Sequence, residues 1–416
     1  MRTSKPLLLA SALATPSLLL GLSMASCATS SDSAAPAKVD VVPDVDSSTP
    51  GFDASSDGSP DAGCESDSGN CTTKPLDCSE ADFCDVPTNV DLRYSLTSVW
   101  GSSANDVWAV GSGGTIVHWN GTAWTGVDSG RKETFNTVWG SSATDVWIGA
   151  AFDVILRTTG VQGSSTTFTR VGPVLWEDPM NFSGTLVNSL WGANGEVFVG
   201  TDQNQRNAMW RHHAPVVEDP DYPPSEWETV GVNCESPGVR CFNVNGVWGA
   251  SASDIWAVTS IGTVRHATTS VADGGTVAQW QSPISLTTAA LRAVWGSSAN
   301  DVWFVGEGGT IRRFTNDGSG HLLPVESPTT ETLRAIWGSA ANDVWIVGDS
   351  GTILHWDGTS LKKATAVLPV GAKPRLSGVW GSSANDVWIV GQGGIALHYT
   401  GPKPPPTTAA KKEGAR

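Results

Sequence analysis

The chain has 416 residues, of which only 16% are charged, with 46 Gly, 20 Trp and a formal net charge of −16. That length admits two or three average domains or one large β-domain, and the Gly and Trp content suits tight turns and short aromatic-rich strands better than helices. No basic patch of the kind that nucleic acid needs occurs, which excludes a nucleic-acid partner.

Arg2 and Lys5 open the chain, and Leu7 to Leu22 follows as a mostly apolar stretch, interrupted by Pro16 and short for a membrane span. It ends in Ser23-Met24-Ala25-Ser26-Cys27. This resembles the bacterial lipobox, in which small residues precede a cysteine that receives lipid and becomes the mature N-terminus; Met24 stands where Leu is usual. The resemblance implies a signal peptide over 1–26 and lipidation at Cys27, with the lipid as the only membrane attachment. The alternative is ordinary cleavage near Ala25-Ser26 with Cys27 incidental. Ala28 follows the cysteine, where an Asp commonly signals inner-membrane retention, so the outer membrane is the expected location.

Residues 28–92 hold twelve Asp and two Glu against two Lys, and 28–90 are rich in Ser, Ala, Pro and Gly. Such a composition cannot bury a core, and it predicts a disordered tether over 27–85. Asp53, Asp57 and Asp61 are spaced like calcium ligands but lack a complete loop, and a solvated linker is the simpler reading. Six cysteines follow Cys27, so an exported chain is expected to pair them. Cys64, Cys71, Cys78 and Cys84 allow three connectivities, and Cys234 most simply pairs with Cys241. No Cys-x-x-Cys or neighbouring His favours zinc, and neither metal nor cofactor is expected.

From residue 93 the chain repeats itself seven times. Val99-Trp-Gly-Ser-Ser-Ala-Asn-Asp-Val-Trp-Ala-Val-Gly111 returns almost unchanged as 379–391. The leading Trp recurs at 100, 139, 191, 248, 295, 337 and 380, at intervals of 39, 52, 57, 47, 42 and 43 residues. A period of about 40–50 with strand composition is the signature of propeller blades. In the first copy, strands are predicted at Leu96–Gly101, Val107–Gly111, Thr115–Trp119 and Ala123–Val127. Gly113-Gly114 and Asn120-Gly121 mark the turns between them. The seventh copy lacks a fourth strand, and Val86–Leu92 is the natural donor. The fold predicted is all-β, a seven-bladed β-propeller over 86–401, with a loose tail at 402–416.

Gly114-Thr-Ile-Val-His-Trp-Asn-Gly-Thr-Ala-Trp124 resembles the third strand, turn and fourth strand of bacterial neuraminidase (Asp-box) repeats, with Trp119 and Trp356 where those carry Ser. It is also similar to photosystem II assembly-factor propellers, and the strand layout resembles a WD-repeat blade. The closest likeness is to bacterial lipoproteins built from Trp-Gly-Ser-Ser-x-x-Asp-Val-Trp repeats. These resemblances cover 93–401 and imply the fold more than an activity.

Trp pairs such as Trp100 with Trp108 and Trp380 with Trp388 are expected to pack between blades. The Gly after each leading Trp suits close backbone approach. An acidic residue recurs before the second strand, at Asp106, Asp145, Glu196, Asp254, Asp301, Asp343 and Asp386, and is expected to accept from turn amides. A cation recurs on the third strand, at His118, Arg157, Arg211, His266, Arg313, His355 and His398. An inter-blade contact, stacked on Trp or bonded to a carbonyl, is preferred to a ring for an anionic ligand.

Function is expected where the copies differ. The insertion Pro173–Thr185 carries Trp176, Glu177, Asp178, Asn181 and Phe182, the candidate ligand-binding residues, and Asn233–Cys241 carries the expected disulfide. Both join a fourth strand to the next first strand and leave from one face; Ala214–Ser225 leaves from the other. The expected function is a non-catalytic, monomeric binding propeller displayed at the cell surface, with a protein or glycan as partner. The alternatives are a neuraminidase-like glycosidase, which needs an arginine cluster and a tyrosine with an acidic partner, and an envelope assembly factor. Tyr94, Tyr222 and Tyr399 are the only tyrosines.

Overall fold

The computed structural model describes residues 76–403, apart from 151–153, 162–165, 173–185, 205–206, 217–224, 231–242 and 273–274. The described residues form seven four-stranded antiparallel sheets, the blades of a β-propeller. In blade one the strands are Leu96–Ser103, Asp106–Gly111, Ile116–Trp119 and Trp124–Gly126. The first strands of successive blades, from Leu96–Ser103 round to Leu376–Ser383, touch one another in order, and the seventh meets the first. They therefore line the axis.

The second strand of each blade lies between its own neighbours and the next blade, so it is apolar on both faces. Val107, Trp108, Ala109 and Val110 are all buried, as are Val387, Trp388, Ile389 and Val390. The cores sit between blades: Trp388 and Val390 of blade seven pack with Leu96, Val99 and Val107 of blade one. Blade three carries Phe198 where the others carry this second Trp. The leading Trp rings interlock with the glycines beyond them. A Cβ on Gly140 would lie 2.5 Å from Trp100, and one on Gly101 would lie 2.6 Å from Trp380, so the contact runs through the closing seam. One turn glycine is as tightly constrained: Gly114 has φ +75°, and a Cβ there would meet the Arg131 carbonyl at 2.1 Å.

The closing strand differs from the expected Val86–Leu92. It is Cys84–Asp85, paired antiparallel with Ala396–Tyr399 in the register Cys84 to His398 and Asp85 to Leu397. The Val86 amide adds a bond to the Ala396 carbonyl at 2.8 Å. Pro87 then has no N–H to give, and the Thr88 hydroxyl takes over, donating to the Gly394 carbonyl at 2.7 Å. Upstream, Phe83 is fully buried against Trp345 and Tyr399. Asp82 accepts from the Thr365 amide and hydroxyl, both at 2.8 Å. The folded chain thus starts ahead of residue 86, inside the segment expected as tether. Cys78 and Cys84 are disulfide-bonded, with Cα atoms 5.4 Å apart.

Candidate functional site

The recurring acid and the recurring cation meet each other. Asp106 Oδ1 lies 2.6 Å from His118 Nε2, and Asp343 and Asp386 hold His355 and His398 at the same distance. Arg157 and Arg313 donate through Nε to Asp145 and Asp301, each at 2.6 Å. Glu196 and Arg211 pair at 3.3 Å, and Asp254 and His266 at 2.9 Å. The other carboxylate oxygen accepts from the first Ser of the repeat, as Ser102 does to Asp106 at 2.5 Å. The second Ser accepts the turn amide, as Ser103 does from Asn105 at 3.3 Å. Turn amides therefore go to this Ser rather than to the acidic residue, and each cation pairs within its own blade. His266, His355 and His398 also stack on Trp256, Trp345 and Trp388, with ring centroids 3.7–3.9 Å apart.

Ser, Asp and His thus converge, but the carboxylate sits between the other two. A nucleophilic triad needs the imidazole in the middle, where it can take the hydroxyl proton. Burial tends to raise the Asp106, Asp343 and Asp386 carboxyls, but the bonds from His and Ser outweigh it and hold them below the usual carboxylate range. These sites fix blade geometry. Among the described residues no cluster of three His, Cys, Asp or Glu is placed to hold a metal.

The two ends of the ring differ in chemistry. One end carries the turns between first and second and between third and fourth strands, and its first-to-second turns repeat the same small polar residues, such as Ser103-Ala-Asn-Asp106 and Ser298-Ala-Asn-Asp301. The other, the connection face, carries the turns between second and third strands and the links from one blade to the next. Here the blades diverge. A central pocket of about 170 Å³ is lined from the start of every first strand, by Thr97, Asn188, Asn245, Arg292, Arg334, Ser377 and, just ahead of Thr137, Asn136. Several of these clamp their surroundings. Asn245 donates to the Leu291 carbonyl at 2.7 Å, Arg334 binds Asp349 through two bonds of 2.5 and 2.9 Å, and Arg292 pairs with Glu307.

Seven of the ten large apolar residues exposed among the described residues also belong to the connection face: Leu92, Tyr94, Leu186, Ile261, Ile284, Leu286 and Val370. Ile284 and Leu286 stand 53% and 52% exposed on the link from blade four to blade five, beside a groove of about 620 Å³. Arg312 holds that link in place, donating to the carbonyls of Ser285 at 2.9 Å and Leu286 at 2.8 Å. Burial pushes the Arg312 pKa down from its ordinary value. Leu286 has φ +53°, a left-handed conformation uncommon for a residue with a side chain.

Trp176, Glu177, Asp178, Asn181 and Phe182, the two cysteines Cys234 and Cys241, and Cys27 lie outside the described residues. Tyr222 does too. Tyr399 is buried, and burial raises its phenol pKa, opposite to what activates a nucleophile. Tyr94 is exposed beside Gly113. Ile284 and Leu286 were not singled out from sequence. Alternating with Ser and Thr, they give the same signal as a strand with one buried face.

No protein-family model matches the sequence, and no curated protein matches it. Solved structures do share the fold. The chain is similar to YCF48 bound to D1 peptide, with 18% identity and a TM-score of 0.54 over 79% of this chain and 99% of that one. The WD40 β-propeller domain of Doa1 gives 14% identity and a TM-score of 0.54 over 77% and 96%. YCF48 from Cyanidioschyzon merolae gives 16% and 0.53 over 77% and 98%. At these identities the likeness speaks for the fold alone.

Proposed function

We propose that this chain is a non-catalytic interaction propeller that binds a protein partner through its connection face and is held in the cell envelope by lipid on Cys27. One observation carries the reading. Most of the exposed large apolar side chains described gather on the connection face, while the first-to-second turns of the opposite face repeat a short polar sequence. A scaffold that concentrates its exposed apolar surface at one end presents that end to a partner. A peptide-bound propeller of the same fold supports the choice of a protein over a glycan. Lipid attachment at Cys27 places the module at a membrane without requiring a spanning segment.

The test is site-specific photo-cross-linking in the producing cells. A benzoylphenylalanine at Thr330 or Val370 samples the connection face, and one at Ala104 or Thr359 samples the other; Val370 is 93% exposed. Discrete protein adducts are expected from the first pair alone. Adducts only from the second pair, or glycan adducts, would overturn the assignment. Cys27→Ser is expected to release the chain from membranes, and its retention there would remove the lipid anchor.

A further inference from the structure

We infer that the groove between blade four and its link to blade five receives an aliphatic side chain of a protein partner whose neighbouring Asp or Glu side chain pairs with Arg265. This deepens the connection-face reading and rests on it.

The groove walls are formed by Val264, Pro283, Ile284 and Leu286 with Ser and Thr residues, and none of its lining residues is charged. No aromatic ring lines it either, so a sugar would find no face on which to stack. An aliphatic side chain would remove Ile284 and Leu286 from water. The link is already rigid, because the Arg312 guanidinium saturates the Ser285, Leu286 and Ile311 carbonyls, all within 2.9 Å. A preordered wall loses little entropy on binding. Leu286 occupies a backbone conformation that Gly or Asn adopts with less strain, so the fold gains nothing from a Leu side chain there.

Charge then selects the neighbour. Arg157, Arg211, Arg292, Arg313 and Arg334 each bind a carboxylate of this chain. Among the described residues Arg265 binds the Ser282 hydroxyl on the groove wall, at 2.5 Å, and no carboxylate. An unneutralised guanidinium at the rim favours a carboxylate and repels Lys or Arg. The far side carries the opposite sign. The link bearing Glu326 and Glu331 is fixed through the Val325 amide to Ile311, the residue before Arg312. The partner's acid must therefore lie toward blade four, at Arg265, with its aliphatic residue against Ile284 and Leu286.

Fluorescence anisotropy on the purified full chain tests this with three pools of N-acetylated, C-amidated 12-residue peptides. Each pool has two aliphatic residues at alternate positions in an Ala/Ser/Thr background. The residues flanking them are Asp/Glu, Asn/Gln or Lys/Arg. The acidic pool is expected to bind at least tenfold more tightly than the basic one. Leu286→Asn, which keeps a residue suited to positive φ, should weaken it tenfold or more with an unchanged melting temperature. Arg265→Glu should invert the order of the pools. Equal binding by all pools, binding by none, or binding indifferent to Leu286→Asn would overturn the proposal. Cross-links from the connection face combined with any of those results would reject the groove and leave the face assignment standing. Cross-links from the opposite face alone would reject both.

Discussion

Within Ser102-Ser103-Ala-Asn-Asp106-Val-Trp108 the polar side chains have separate tasks. Ser102 and His118 hold the two oxygens of Asp106, Ser103 accepts the Asn105 amide, and Trp108 is buried under the imidazole. The acid and the cation were both visible as recurring residues, but their partnership was not. They lie twelve positions apart on two strands, and only the register that pairs Trp108 with His118 sets them face to face. The depressed carboxyls of Asp106, Asp145, Asp343 and Asp386 make a pH prediction. A folded pKa below the unfolded one contributes stability that is present above about pH 4 and is lost as pH falls through the lower folded value. Urea midpoints should fall a little between pH 7 and pH 5, where burial keeps His212 neutral in the folded chain while it protonates in the unfolded one, and should drop further below pH 4. Asp386→Asn should flatten that drop and cost about 1–3 kcal/mol at pH 7, since it removes a carboxylate that accepts from Ser382 and is bonded to His398. A midpoint unchanged between pH 5 and pH 2 would count against these carboxylate bonds.

At the scale of elements, the closing strand carries the most information. Two residues, Cys84 and Asp85, complete blade seven, and Phe83 fills the boundary with blade six. No periodicity exists in a strand that short, and the acidic composition around it reads as linker, so pattern reasoning placed the donor a few residues downstream. A chain starting at residue 77 should melt like the longer protein, while one starting at residue 87 should lose the outer strand of blade seven and melt well below it. Phe83→Ala should cost about 3–5 kcal/mol, the usual loss for truncating a buried aromatic. Reducing Cys78–Cys84 should cost about 2–3 kcal/mol, given the short loop it closes. Differential scanning calorimetry checks all of these, and equal melting of the two truncations would disprove the seam.

Across the whole molecule, closure depends on seven equivalent contacts between a Trp ring and the glycine of the next blade. Gly381 faces Trp337 at 2.6 Å, as Gly101 faces Trp380. Gly101→Ala is expected to cost about 1–3 kcal/mol by overpacking. Trp388→Ala is expected to cost about 3–5 kcal/mol, since its indole is fully buried. Denaturant titration checks both, and a neutral Gly101→Ala would mean the ring tolerates slack at its seam. The amino-acid sequence by itself determined the number of blades, their four strands and their glycine turns. Each of these is written in local, repeated residue types whose backbone preferences act over a few positions. Tertiary structure decided where the ring closes, which acid meets which cation, and which apolar residues remain in water. Those outcomes depend on what packs opposite, and strands far apart in the chain supply it.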